Sequence, residues 1–471
     1  MMQNEIVKKP MQFVRRFFPK GQFARNVTVL AGGTAVTQSL TVLVSPLLTR
    51  FYHAEDFGNF QVYLLFMTFA IVMVNLRYDQ SIFLPEQEDV AANLVAVALV
   101  AAGIVSCCAA VLVGLGPLLF PLPRTVVPLR PFLWILPLSI AGAGLYQALS
   151  SWALRQKAYS RVTGTKVTQV VSMLAIQLAT ALVHSGPLGL LAGDAVGRGG
   201  GSLSLARLSW KQSREAFRSV GWKAMRAAAS RYRDFPLVST FSSLIAVAAY
   251  ALPALLLAQF YGPKTLGWFA LGDRVLGAPS ILVGQAVSQV YSVEAANFSN
   301  SNPEALQALF FKLIKRLAIL GVVPVAFFLA FAPSVFALVF GAQWREAGVY
   351  ARLLTAMRYV ALVASPFVLT LNILEKQVWQ LAWDLSRTAL TLTSILIVYR
   401  LGLSARWAIA TLGGTILAAY IVHLLLCHLA IVRKIRLFRA RVLETQEAAA
   451  DNRSCEADSH DTRSLEGQGA L

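Results

Sequence analysis

Apolar runs long enough to cross a bilayer once as a helix follow one another along the chain. The first six are Val27 to Leu48, Phe60 to Leu76, Val90 to Leu115, Pro131 to Leu154, Val167 to Val183 and Pro187 to Ala206. A basic break follows between Lys211 and Asp234, carrying Lys211, Arg214, Arg218, Lys223, Arg226, Arg231 and Arg233 without a sustained apolar run. Six more runs come after it: Leu237 to Phe260, Leu266 to Tyr291, Leu313 to Phe340, Ala347 to Leu371, Val378 to Tyr399 and Ala405 to Val432. The pattern predicts an all-α integral membrane protein of about twelve transmembrane helices in two six-helix halves. The halves occupy residues 27–206 and 237–432, joined by a basic cytoplasmic linker at 207–236 with a surface-lying helix.

An internal repeat sets the relation of the halves. Phe51-Tyr52, Phe57-Gly58 and Phe60 recur as Phe260-Tyr261, Leu266-Gly267 and Phe269, each time at the outer junction of the first and second span of a half. Spans one and seven run the same way across the membrane, so the repeats are parallel, related by an axis along the membrane normal. Such halves suit a transporter that rocks them about a central cavity.

Composition agrees with a membrane protein: 56% of the 471 residues are apolar and only 14% charged, with a mean hydropathy of +0.60. Little chain remains for a water-soluble catalytic domain. The net charge of +19 would suggest nucleic acid for a soluble chain. Here it sorts by side instead, and no nucleic-acid partner is expected. One set of alternate loops collects the N-terminal cluster, Arg155, Lys157, Arg161, the central linker, Lys312, Lys315, Arg316, Lys376 and the cluster from Arg433 to Arg441. The other set has only Arg50, Arg124, Arg130, Lys264, Arg345, Arg400 and Arg406, which puts both termini in the cytoplasm. Residues 1–26 read as a basic amphipathic tail, with Phe13, Phe17 and Phe18 among Lys8, Lys9, Arg15, Arg16 and Lys20, suited to an anionic membrane surface. The first apolar run is too long for a signal-peptide core, so no cleavage is expected. Residues 433–471 form a cytoplasmic tail, polar and largely disordered beyond Leu443. Cys107, Cys108, Cys427 and Cys455 are placed for no disulfide framework.

Charges in hydrocarbon are expensive and usually face a cavity or a partner. Counting from the loops puts Arg198, Arg274, Arg358 and Arg387 near mid-depth. Asp194 and Arg198 (i, i+4) and Asp384 and Arg387 (i, i+3) can each close an ion pair on one helix. Asp273 and Arg274 are adjacent and point apart, and Arg358 has no acid close by in its own span. Arg274 and Arg358 are therefore the leading candidates for a cationic cavity, which would favour an anion through the guanidinium fork. Gly193, Gly197 and Gly201 form a small-residue stripe for close helix packing, and Pro236, Pro253 and Pro279 are potential kinks in spans seven and eight. Arg77 and Asp79 read as an interfacial pair, and His423 and His428 as interfacial residues rather than ligands. The absence of a G-x-x-x-x-G-K-[ST] loop and of zinc-like Cys/His spacing predicts no ATP use, cofactor or metal, and no enzyme.

The sequence resembles the polysaccharide-transporter (O-antigen flippase) branch of the multidrug/oligosaccharidyl-lipid/polysaccharide flippase superfamily. The resemblance rests on Leu48-Thr49-Arg50-Phe51-Tyr52 through Glu55-Asp56-Phe57-Gly58, Leu76-Arg77-Tyr78-Asp79 with Leu84-Pro85, and Tyr232-Arg233-Asp234-Phe235-Pro236. It continues in Leu252-Pro253, Phe260-Tyr261, Leu266-Gly267, Pro279, Gln289-Val290, Phe340-Gly341, Trp344-Arg345-Glu346-Ala347 and Tyr350-Ala351. It implies a V-shaped bundle like that of multidrug exporters and a bacterial inner-membrane protein that flips undecaprenyl-diphosphate-linked oligosaccharide for O-antigen, capsule or exopolysaccharide synthesis. Under this reading Arg274 and Arg358, then Arg198 and Arg387, face the diphosphate, and Gln38 and Asn75 the sugars or a neighbouring helix. Asp194, Asp273 and Asp384 are candidates for coupling to a proton or sodium gradient. Partners would be the lipid-linked substrate, membrane lipid and a polysaccharide polymerase or assembly protein. The alternatives are an ion-coupled multidrug exporter of the same fold, against which the arginine excess argues, and a membrane glycan polymerase or ligase, which the short outer loops disfavour.

Overall fold

The computed structural model of the protein describes residues 22–119, 121, 123–183 and 186–466, and among these it contains no strand. Helical rods stand at each of the twelve predicted runs. In the first half these are α1 (Gln22–Phe51), α2 (Ala54–Met73), α4 (Glu88–Leu119), α5 (Ile135–Arg155) and α6 (Tyr159–Ala181), followed by α7 (Pro187–Gly199) and α8 (Ser202–Gln212). A one-turn helix, α3 (Tyr78–Ser81), lies between α2 and α4. The basic linker holds α9 (Arg214–Arg218) and α10 (Trp222–Arg231), then a π-helical turn at Phe235–Ser239. The second half runs α11 (Thr240–Ser301), α12 (Pro303–Phe340), α13 (Arg345–Ala364), the short α14 (Thr370–Ile373), α15 (Gln377–Arg400) and α16 (Ala405–Glu466). Seven segments among the described residues are by themselves long and apolar enough to span a bilayer, including Glu88–Leu118, Pro303–Phe340 and Ala405–Ala440. The chain is a multi-pass membrane protein.

Its surface is apolar where a soluble protein's would be polar. Leu43, Leu112, Leu118, Val323 and Leu338 are each at least 70% exposed, as expected of side chains that meet acyl tails. Two backbone breaks stand out, one at the predicted junction of spans seven and eight and one inside the predicted sixth span. The rod of α11 bends at Gly262, whose φ of 86° and ψ of 166° suit glycine and the extended bias imposed by the following Pro263. Pro253 and Pro279, expected as kinks, lie within the helix, and Pro236 sits in the π-helical turn. The sixth span breaks at Gly200–Gly201, with Gly201 at φ 78°. The stripe ahead of the break does pack closely: a Cβ on Gly193 would press on Gln177 and one on Gly197 on Met173, both on α6.

At the C-terminal end the structure departs from expectation. Helix α16 continues to Glu466, through residues expected to be disordered. The run Glu444-Thr445-Gln446-Glu447-Ala448-Ala449-Ala450 is rich in strong helix formers, so a helix entering it from the membrane has little local reason to stop. The amphipathic reading of the N-terminal tail falls largely on residues 1–21, outside the described residues.

The chain divides into two compact units. One takes in the chain up to Leu282 together with Pro324–Arg358 and Arg387–Ile416; the other takes in Val283–Val323, Tyr359–Ser386 and the chain from Leu417 on. In the first unit α1 packs on α6, α6 on α7, α7 on α5 and α5 on α4. The second is built around Tyr291, Phe310, Phe367, Leu371, Cys427 and Ile431.

Within the first unit the two repeat copies meet. A methyl group on Gly58 would overlap the carbonyl oxygen of Pro263, and one on Gly267 the carbonyl oxygen of Ala54. Each glycine thus faces the residue four positions before its counterpart, a pseudo-twofold crossing of α2 and α11 that only glycine permits.

Candidate functional site

Inner and outer name the two ends by the predicted orientation. At the outer end, three motif stretches far apart in sequence form one seam. The Trp344 indole N–H and the Gln343 amide both donate to the Thr49 carbonyl at 3.0 Å, and the Phe57 and Trp344 rings meet edge to face at 5.0 Å. Trp268 donates to the Gln343 carbonyl, and Arg406 holds Glu346 with two hydrogen bonds of 2.7 and 2.8 Å. Thr49 and Trp344 are fully buried. The seam joins the loop after the first span, the repeat at 260–269 and the segment after the ninth span.

Two charged clusters lie deeper in the helices. On α7, Arg198 Nε donates to Asp194 Oδ2, the local pair that the spacing predicts. The Tyr63 hydroxyl on α2 reaches the same carboxylate oxygen at 2.9 Å and Ser139 Oγ on α5 at 2.6 Å. Three helices are thereby tied through one buried acid. Tyr63 escaped sequence analysis, although a tyrosine inside an apolar run signals a hydroxyl that needs a partner.

The second cluster joins α11 to α13. The helices cross closely at Gly272, where a Cβ would lie 3.0 Å from the Ala347 carbonyl oxygen. Further along the same faces, Arg358 forms an ion pair with Asp273, and its guanidinium carbon sits 3.6 Å from where a Gly277 Cβ would be. Arg358, which has no acid close by in its own span, takes its acid from another helix. Arg274, next to Asp273, makes no hydrogen bond or close ion pair among the described residues, and its electrostatic neighbours are Asp273 and Tyr250. Asp273, Arg274 and Arg358 together carry one net positive charge.

The remaining predicted residues are placed as follows. Gln38 is half-buried on α1, and Asn75 is buried and donates its amide to the Gly144 carbonyl on α5 at 3.2 Å. Asp384 on α15 accepts from the Gln380 amide at 3.1 Å. Arg387 follows three residues later on the same helix and belongs to the first compact unit, whereas Asp384 belongs to the second. His423, read as interfacial, is fully buried against the Trp383 ring, with Nε2 3.3 Å from Gln380 Oε1.

At the inner end the motif Leu76-Arg77-Tyr78-Asp79 meets the linker. Leu76 and Arg77 both have positive φ, 47° and 62°, so the chain turns sharply out of α2 into α3. The Tyr78 hydroxyl donates to the Ala229 carbonyl, and α3 packs on the π-helical turn of Phe235-Pro236. Asp79, 4% exposed, accepts from the Gln147 amide on α5 at 3.0 Å. Burial pushes its carboxyl above the ordinary value, while Arg77 and the Gln147 hydrogen bond pull the other way.

Comparison with known proteins gives a consistent picture. Residues 47–349 match the model of a family described as polysaccharide biosynthesis protein. No curated protein is significantly similar in sequence. Among solved structures, the chain is similar to an inward-facing multidrug resistance MATE family transporter of the MOP superfamily, with a TM-score of 0.62 at 15% identity over 85% of this chain and 99% of that one. It is also similar to the lipid II flippase MurJ in an inward closed conformation, with a TM-score of 0.60 at 12% identity over 86% and 87%. A Vibrio cholerae MATE transporter matches with a TM-score of 0.54 at 14% identity over 90% and 98%. At these identities the likeness is one of fold.

Proposed function

The chain belongs to the polysaccharide biosynthesis protein family, and we propose that it carries that process across the membrane, as a flippase for undecaprenyl-diphosphate-linked oligosaccharide in the bacterial inner membrane. The observation that carries this reading is Arg274, a cation in a membrane-crossing helix with no ion pair among the described residues, set beside the Asp273–Arg358 pair. A permanently charged guanidinium in such a place calls for an anionic partner, and a diphosphate matches its fork with two bonds. A diphosphate arriving at Arg274 can also draw Arg358 away from Asp273, so the pair acts as a reserve of positive charge. The sugar-diphosphate head needs this polar route because it cannot dissolve in hydrocarbon, whereas the polyprenyl tail stays in lipid. Movement of the two repeat halves supplies alternating access. Arg198 is a weaker contact, because its guanidinium is already bound to Asp194, the carboxylate that Tyr63 also holds. A polymerase that consumes the flipped unit is the natural partner.

The test is binding of undecaprenyl-diphosphate oligosaccharide to the purified protein in detergent. Loss of a hydrogen bond to a charged group corresponds to about a tenfold or greater loss in affinity for Arg274→Ala. Arg124→Ala, an exposed outer-loop control, leaves it unchanged. Equal affinity for the parent and Arg274→Ala would remove Arg274 from the path.

A further inference from the structure

Five buried polar side-chain atoms without a hydrogen-bond partner of good geometry fall on two facing stretches at the inner end of the first half. Three are acceptors, Asn75 Oδ1, Asp79 Oδ1 and Gln147 Oε1, and two are donors, Arg77 Nε and Trp152 Nε1. The stretches are tied by the Asn75 amide on the Gly144 carbonyl and the Gln147 amide on Asp79 Oδ2. Gly144 and Gln147 share one face of α5, and Trp152 shares a buried cluster with Tyr78. Asn75 is 1% exposed, Asp79 4% and Trp152 1%. Each such atom left alone is destabilising by about 1–3 kcal/mol, so five together mark a site rather than an accident of packing.

The mixture of donors and acceptors decides what the site takes. A bare metal cation would satisfy the three oxygens, leave both N–H groups unmatched and stand beside the permanent charge of Arg77. Water both donates and accepts, and it satisfies all five. A carboxyl group held among ordered waters is a place where a proton can be put on and taken off. The other acids are differently placed: Asp194 and Asp273 are bound to arginines, and Asp384 accepts from Gln380. Charged groups on the neighbouring elements are engaged or face solvent. Arg155 at the end of α5 donates to the carbonyls of Ile82, Pro85 and Glu86. Glu88 and Asp89 at the start of α4, Lys223, Arg226 and Arg231 on α10, and Arg233 and Asp234 before the π-helical turn are exposed. Arg77 is the charge that acts on Asp79.

We propose that Asp79, with Asn75, Gln147 and the waters they hold, is the proton-binding site that couples flipping to the proton gradient. The inference rests on the transporter reading for its coupling role. In the step, a hydronium ion gives up a proton and becomes water, an O–H bond forms at Asp79 Oδ1 and donates to a neighbouring amide oxygen, and the same bond later breaks to return the proton to water as hydronium. No electrons move. Protonation removes the attraction between Asp79 and Arg77, at the point where Leu76 and Arg77 hold a left-handed backbone that L residues adopt only under constraint. The charge state of one side chain thus acts on the turn that joins α2 to α3.

Infrared spectroscopy of the full chain in proteoliposomes tests the site without any substrate. The parent should show a protonated-carboxyl C=O band that persists above the pH at which an ordinary aspartate loses its proton and is missing in Asp79→Asn. In the same vesicles, a one-unit pH gradient changes the flipping rate of the parent by up to about tenfold, and Asp79→Asn flips at one rate with or without the gradient. Asp79→Glu, which keeps the carboxyl, retains the gradient response and guards against a folding defect. A titrating band that survives in Asp79→Asn, its absence from the parent, or a full gradient response in Asp79→Asn overturns the proposal. A parent that flips no lipid contradicts the flippase reading instead, while the infrared titration still decides whether Asp79 binds the proton.

Discussion

Arg358 and Asp273 show how a charge can sit in a membrane helix without being spent. Each keeps part of its surface exposed, 24% and 20% of the side chain, so the pair is open to exchange. Asp273→Asn removes the acid from this ion pair and should lower unfolding stability by about 1–3 kcal/mol, below the figure for a fully buried pair. Adding Arg358→Gln should recover most of the loss, and a thermal-unfolding double-mutant cycle in detergent reads the coupling. No recovery in the double variant would show that the pair is not what the first substitution broke. Asp79 makes a prediction of opposite kind. Its carboxyl is raised by burial, so the folded state binds more protons than the unfolded one just above the ordinary carboxylate range. Stability of the parent relative to Asp79→Asn therefore falls as pH rises through that range, measurable as a parent Tm that rises relative to that of Asp79→Asn on acidification. Local spacing made the Asp194–Arg198 pair legible in the sequence, because i, i+4 partners share a helix face. The Asp273–Arg358 pair and the site around Asp79 were not legible, since each joins residues whose neighbourhood exists only after helices pack.

At the scale of elements, hydropathy marked every helical rod, because a span needs a long apolar run and little else. Where rods break was legible only in part: Gly262 lies in the gap between the runs ending at Phe260 and starting at Leu266, whereas Gly201 sits inside the run Pro187 to Ala206 and only its backbone angle reveals the turn. The repeat was readable as a motif, yet its meaning was not. Its two glycines turn out to be the contact between α2 and α11, Gly58 against the Pro263 carbonyl and Gly267 against the Ala54 carbonyl. Gly58→Ala and Gly267→Ala should each push the crossing apart. Overpacking of this kind is destabilising by about 1–3 kcal/mol, with the upper end expected because the obstacle is backbone rather than a mobile side chain. Both variants should lower Tm, and the double variant should lose less than the sum, since one separation relieves both overlaps. Strict additivity would mean that the two sites do not share a crossing.

For the whole molecule, the distribution of basic residues and the outer seam must agree on one orientation. In a cysteine-free background, cysteines at Arg226 on α10 and at Arg124 should react from opposite sides of the membrane with an impermeant maleimide, Arg226 from the cytoplasm. Reaction of both from one side would remove the two-sided arrangement on which alternating access depends. The central claim is that this fold moves a lipid-linked glycan past Arg274. It is tested most directly by following a fluorescent undecaprenyl-diphosphate oligosaccharide between leaflets of proteoliposomes containing the parent or Arg274→Ala. The account predicts flipping by the parent and a fall of about tenfold or more in the variant at equal folded protein. Flipping at the same rate in protein-free vesicles and in vesicles with the parent would contradict it.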